Sequence, residues 1–258
     1  MKRILSLCLT SLFLISAVQA KDLRFAQISD VRYSQENSAP LKAVIKDINK
    51  QKNVEFTVFT GDNINKPSQA ELESFLKEAK KLKTPFYIVL GDKDVNKLKH
   101  LSKAEYIETI RKNVRSYKPE KQNYTFEKEK VIFIIADGSK DVIPSPNGYY
   151  RDDVLEYLDK ELSKYPERNV IILQHFPIIP PSNKESHYTF KPENYLAVLS
   201  KHKNVKAIIS GHFGVNSEKE EKGIVHITTA GAPYYRIIDI LDCDSANPTI
   251  WAQLNQAK

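Results

Sequence analysis

Five apolar runs of this 258-residue chain each close on a side chain that can hold a divalent cation or carry a proton. The run 23–29 is followed by Asp30, the run 56–60 by Gly61-Asp62-Asn63, and the run 86–90 by Gly91-Asp92-Lys93-Asp94. The run 170–174 is followed by His175, and the run 205–210 by Gly211-His212. Three carboxylates and two imidazoles are oxygen and nitrogen donors of the kind that bind Mn, Fe or Zn. An aspartate after a strand commonly caps a helix, and one histidine is commonly a hydrogen-bonded residue. Five such residues at equivalent places are hard to assign to chance, and α/β sheets keep their ligands at the carboxyl ends of their strands.

The elements that must present these residues are legible in the periodicity. Helical spacing covers 40–51, with Leu41, Val44, Ile45 and Ile48 on one face. Ser68 with Glu71 and Ser102 with Glu105 have capping-box spacing, ahead of helices that run to 82 and about 115. The runs 124–127 and 131–136 read as a hairpin, 151–164 and 193–202 as helices. The end of the chain is strand-rich, at 224–229, 236–241 and 249–254. Alternating strands and helices followed by a meander predict two packed sheets with helices outside, in one domain spanning 21–258. The proline-rich stretch 176–192 is the longest expected loop and follows His175, where it is either a lid or an ordinary surface loop.

In their order, the motifs around Asp30, Gly61-Asp62, Gly91-Asp92, His175-Phe176-Pro177 and Gly211-His212 resemble the signature of the calcineurin-like metallophosphoesterases. The resemblance covers nearly all of 21–258. It implies an α/β fold: a sandwich of two mixed β-sheets flanked by α-helices, in four α/β/β/α layers. It also implies hydrolysis of phosphomonoesters or phosphodiesters at two metals bridged by the aspartate of Gly-Asp. This chain departs from the family pattern at four positions. Arg32 stands where the family has a histidine ligand, Asp92 where it has asparagine, Lys93 where it has a second histidine, and Gly214 where it has a third. Carried over residue by residue, one metal keeps Asp62, Asp92, His175 and His212, and the other keeps only Asp30 and the shared Asp62.

Charge points the same way. An arginine cannot release its proton to make room for a cation. Two unit charges ~4 Å apart repel by about 4 kcal/mol at an effective dielectric of 20, and a dication doubles that. The expectation is one divalent ion, with Arg32 in the place of the second, paired with Asp30 and Asp62. Arg32 and Lys93 would then bind the non-bridging oxygens of a phosphorylated small molecule or another anion, with Asp94 beside Lys93 to orient it or to cap the turn. Three functions stay open on the sequence: a one-metal phosphoesterase, an inactive relative that binds phosphate or nucleotide-like anions, and an interaction module. His187 lies in the long loop, as a substitute ligand or a surface residue. His226 falls in a strand, and His100 and His202 lie near helix ends. Asp137 is assigned to a turn, and Tyr149, Tyr150, Tyr234 and Tyr235 either to packing or to the rim of the pocket.

The first twenty residues read as a secretory signal. Lys2 and Arg3 precede an apolar stretch from 4 to 18, and Val18-Gln19-Ala20 sets cleavage before Lys21. Cys8 lies inside that stretch after a leucine, which argues against lipidation. Cys243 is then the lone cysteine and cannot form an internal disulfide. A secreted or periplasmic location is expected, with no membrane attachment after cleavage. Without Lys2 and Arg3 the chain carries 37 basic and 32 acidic residues, a net +5 spread along helices. That is too diffuse to indicate a nucleic-acid partner.

Overall fold

The computed structural model of the chain describes residues 22–99, 101–182 and 187–258. The expected signal segment 1–20, His100 and residues 183–186 of the long loop lie outside the described residues. The first sheet is built by β1 (Leu23–Ile28), β2 (Phe56–Thr60), β3 (Phe86–Val89), β10 (Tyr234–Leu241) and β11 (Thr249–Gln256), in the order β11-β10-β1-β2-β3. The second holds β4 (Tyr124–Lys128), β5 (Val131–Ile135), β6 (Val170–Leu173), β7 (Val205–Ser210), β8 (Ser217–Glu221) and β9 (Ile224–Thr228), in the order β4-β5-β6-β7-β9-β8. Both sheets are mixed. β1, β2 and β3 run parallel, as do β5, β6, β7 and β9, while β4, β8, β10 and β11 pair antiparallel.

Apolar side chains fill three separate layers, which is why the architecture has four tiers. The central strands carry apolar residues on both faces, as strands covered on both sides do. Between the sheets, Phe25 stacks on Phe56 at 4.8 Å, and the edge of Phe133 meets Phe56 at 5.2 Å. Outside the first sheet lie α1 (Ala39–Ile48), α2 (Gln69–Ala79) and α3 (Lys103–Asn113), which bury Val44, Phe75 and Tyr106 among others. Outside the second lie α4 (Asp152–Lys164) and α5 (Pro192–Leu199), with Leu158, Leu162 and Tyr195 inward. The expected sandwich is the observed fold. No helix among the described residues is long and apolar enough to cross a membrane.

Three details differ from the sequence reading. β8 was not expected, because Glu218, Lys219, Glu220 and Glu221 give it no apolar periodicity; its place comes from antiparallel pairing with β9. The capping box at α3 is complete, but at α2 only Ser68 plays its part, while Glu71 accepts from the Lys66 N–H at 2.8 Å instead. Helices also end earlier than read: α1 at Ile48 and α2 at Ala79.

Candidate metal centre

The two sheets contribute different chemistry to one point. The first sheet supplies carboxylates: Asp30, Asp62 and Asp92 follow the carboxyl ends of β1, β2 and β3. The second supplies imidazoles: His175 and His212 follow β6 and β7. Packing the sheets face to face brings the two sets together.

The loops are held in conformations that ordinary residues avoid. Asp30, Arg32, Asp62 and His212 all have positive φ, between 46° and 73°. A left-handed non-glycine residue costs about 1–2 kcal/mol, so something must hold it there. Hydrogen bonds between loops do so: Asp30 N–H donates to Gly61 O at 3.0 Å, Arg32 N–H to Asp62 O at 2.8 Å, and Gly211 N–H to His175 O at 3.0 Å. Two glycines permit this close approach. A Cβ on Gly211 would lie 1.7 Å from Ser29 Oγ and 2.6 Å from Asp30 Oδ2, and one on Gly91 would lie 2.2 Å from the Asp62 backbone nitrogen.

The imidazoles are oriented by backbone carbonyls. His175 Nδ1 lies 2.7 Å from Thr60 O, and His212 Nε2 lies 2.7 Å from Pro146 O. A carbonyl only accepts, so each of these nitrogens carries the proton. The remaining nitrogens, His175 Nε2 and His212 Nδ1, then face each other at 3.1 Å with lone pairs inward. Asp92 Oδ1 stands 3.4 Å from the first and 3.2 Å from the second, and Asp62 Oδ1 stands 3.5 Å from His175 Nε2. Asp92 Oδ1, which faces both histidines, is buried without a hydrogen-bond partner, whereas Asp62 Oδ2, also without one, faces the cations of Arg32 and Lys93. Two imidazole nitrogens and the Asp92 carboxylate turned on one point suit a cation between them. Tetrahedral sites with bonds of about 2.0–2.2 Å place their ligand atoms about 3.3–3.6 Å apart, so Asp92, His175 and His212 are spaced to share a divalent ion, while Asp62 meets this group only through His175. Without an ion, a proton meets the same need. The carboxylates of Asp62, Asp30 and Asp92 raise His175 to about 10 against a desolvation that works in the other direction. Asp92 is held below the usual carboxylate range: burial alone would raise it, but both histidines overcome that. Asp62 is pushed up, chiefly by its burial.

Beside this point sit two fixed cations. The Arg32 guanidinium spans two carboxylates, with Nη2 3.4 Å from Asp30 Oδ1 and Nε 3.4 Å from Asp62 Oδ2. Lys93 Nζ lies 3.2 Å from Asp92 Oδ2 and 3.6 Å from Asp62 Oδ2. Arg32 is 45% exposed and Lys93 36%, whereas the carboxylates are buried, so both cations face the solvent side of the cluster. Asp30, Asp62 and His175 form a second group of donors close enough for an ion, and Arg32 is the cation that occupies its two carboxylates.

Asp94 is not brought into this arrangement. Its carboxylate accepts from the N–H groups of Asn63, Ile64 and Gly91 and from Asn63 Nδ2, at 2.8–3.1 Å. It ties the β2 and β3 loops together from beneath, and burial pushes it up to about 7. Of its two expected roles, holding the turn is the one its contacts serve. The backbone carbonyls of Thr60 and Pro146 escaped the sequence reading, because a carbonyl acting as an orienting acceptor has no residue signature. Ser29 escaped as well; its hydroxyl donates to Asp30 Oδ2 at 2.7 Å. His187 returns to the site, its ring 5.0 Å from that of His212. His202 pairs with Asp159 at 2.6 Å, and Asp137 accepts from Lys103 Nζ at 2.6 Å in a buried ion pair. Tyr150 and Tyr235 are packing residues, with hydroxyls on Phe176 O and Asp47.

The profile of the calcineurin-like phosphoesterases matches residues 23–216, and the chain belongs to that family. No curated protein matches the sequence. Among solved structures, a dimetal phosphatase from Danio rerio superposes with a TM-score of 0.69 at 15% identity, over 92% of this chain and 99% of that one. GAP50, the anchor in the inner membrane complex of Plasmodium, superposes with 0.58 at 16%, over 92% and 89%. A purple acid phosphatase from seeds of yellow lupin, Lupinus luteus, superposes with 0.63 at 13%, over 92% and 52%. At these identities the likeness is one of fold.

Proposed function

We propose that this protein is an exported phosphoric-ester hydrolase with a single divalent ion, held by Asp62, Asp92, His175 and His212. The observation that carries this reading is the pair of inward lone pairs on His175 Nε2 and His212 Nδ1, beside a guanidinium that spans Asp30 and Asp62. A bound divalent ion supplies Lewis-acid polarisation and an activated water. The chain supplies the rest. Arg32 and Lys93 are the exposed donors at the mouth, and their fixed charges bind the non-bridging oxygens of a phosphomonoester, phosphodiester or nucleotide. Asp62 and Asp92 hold both cations in place through the contacts given above. Thr60 O and Pro146 O fix the ring orientations, so that His175 Nε2 and His212 Nδ1 are the nitrogens turned toward the ion. Asp30 anchors the arginine and accepts the His212 N–H at 2.8 Å, which couples the two halves of the site.

Chromogenic mono- and diester hydrolysis, assayed alongside metal content, tests the reading. Turnover should require the ion and should vanish in His212→Ala. Lys93→Ala should raise KM by about tenfold, the worth of one charge-assisted hydrogen bond. No turnover with any divalent ion would leave an anion-binding relative instead, and phosphate or nucleotides would then raise the melting temperature. Export predicts that the secreted protein begins at Lys21, which N-terminal sequencing reads directly.

A further inference from the structure

A second cavity lies at the other end of the strands. It has a volume of about 440 Å³, within the ~300–1,000 Å³ range of small-molecule sites, and opens between α5 and the β8–β9 hairpin. Val205 and Ile224, the first residues of β7 and β9, line it, whereas His212 follows the far end of β7. Seven residues of extended chain at about 3.3 Å each place it roughly 20 Å from the metal centre.

The cavity exists because α5 is short and β9 lies beyond it. The outer face of β5, β6 and β7 is covered by α4 and α5, but the hairpin extends past that cover. Its walls are apolar: Ile179, Leu196, Leu199, Val205 and Ile224. Its rim is cationic, with Lys203, Lys206 and Lys222 against Glu221 alone. Lys203 and Lys222 are exposed and make no side-chain ion pair among the described residues.

His226 lines the same cavity. It is 8% exposed, projects from the outer face of β9, and its side chain makes no hydrogen bond among the described residues. Its ring nitrogens open onto the cavity, so a ligand that covered them without offering a polar partner would forfeit about 1–3 kcal/mol. Burial also lowers its pKa, so the ring is neutral at physiological pH and offers one donor and one acceptor. The strand pattern accounts for a residue at this position but not for an imidazole, since the apolar neighbours would pack equally well against leucine.

We propose that this cavity binds an anionic amphiphile, with its apolar chain against Ile179, Leu196, Leu199 and Ile224 and its head group between His226 and the lysines of the rim. An all-apolar ligand would leave His226 unpartnered. A free inorganic anion would leave the apolar walls wet. An amphiphile satisfies both, and the net positive rim selects the sign of its head.

The test titrates decanoate, decanol and decyltrimethylammonium into the full mature chain, followed by calorimetry and by the NMR signals of the His226 ring. Decanoate should bind saturably, one per chain, and shift the His226 resonances. Decanol should bind about tenfold more weakly, and the cation should leave the ring signals unmoved. His226→Phe keeps a planar aromatic ring and removes the polar atoms, and should weaken decanoate about tenfold. Lys203→Glu with Lys222→Glu alters only exposed side chains, and should weaken it at least as much, even if the buried variant folds poorly. Equal response to all three probes, absence of saturable binding, or decanoate affinity unchanged in the lysine variant would each overturn the proposal. None of these outcomes bears on the metal centre.

Discussion

Arg32→Ala removes the one cationic side chain among the described residues that pairs with both Asp30 and Asp62. Each contact is 3.4 Å long, and a unit pair at that distance is worth about 5 kcal/mol at an effective dielectric of 20. The guanidinium is 45% exposed, so solvent screening takes away a large part of this. The partners, however, are 4% and 0% exposed and would be left as adjacent buried carboxylates. Breaking a buried pair costs about 3–5 kcal/mol; with half the pair in solvent, about 2–3 kcal/mol is the expectation for the metal-free protein. At about 2–4 °C per kcal/mol for a domain of this size, the melting temperature should fall by about 4–12 °C. The electrostatic account adds a second requirement. Asp30, Asp62 and His175 become available to a cation once the arginine is gone, so Mn or Zn should restore more stability to the variant than it adds to the parent. Scanning calorimetry with and without metal measures both. A fall below about 1 °C, or equal metal stabilisation in the two proteins, would show that Arg32 does not stand in for an ion.

Metal binding should depend on pH because a proton holds the same place. The raised pKa of His175, about 10 in the metal-free fold against 6.5 unfolded, means that its proton stabilises the metal-free fold fully below 6.5 and ceases to do so as pH rises through about 10. A metal must displace that proton, so affinity measured by competition should rise about tenfold from pH 7 to pH 8; a flat profile contradicts the protonated pair. Asp94→Ala leaves four buried donors without their acceptor and should cost about 3 kcal/mol or more, read as a loss of roughly 6–12 °C in melting temperature; Asp94→Asn should lose less. Gly211→Ala forces a Cβ onto Ser29 Oγ and Asp30, and should lower both thermal stability and metal occupancy. Arg32→His with Gly214→His should carry a second ion. Gly214 has room for a side chain, although its φ of +66° costs about 1 kcal/mol or more for any residue but glycine.

Much of this site was legible because it is written as punctuation. An apolar run that ends in Gly-Asp or Gly-His announces both a strand and what its end presents, and Asp30, Asp62, Asp92, His175 and His212 could be grouped on that pattern alone. The pairing of Arg32 with two carboxylates followed from charge. What the sequence hid falls into two kinds. Backbone acceptors such as Thr60 O and Pro146 O have no side-chain signature, and Pro146 lies 66 residues from the histidine it orients. Roles set by tertiary context were hidden too. Asp94 sits next to Lys93 in sequence but serves the loops beneath the site, β8 takes its conformation from its partner strand, and His226 is unremarkable until the short α5 leaves it facing a cavity.

The central claim is that a guanidinium has replaced one of two ions while the other ion's ligands are kept. Metal content per chain, measured by mass spectrometry on protein purified without chelator and then dialysed against excess Mn or Zn, tests it most directly. The account predicts about one ion per chain, lost in His212→Ala. Two tightly bound ions per chain with Arg32 intact would contradict it.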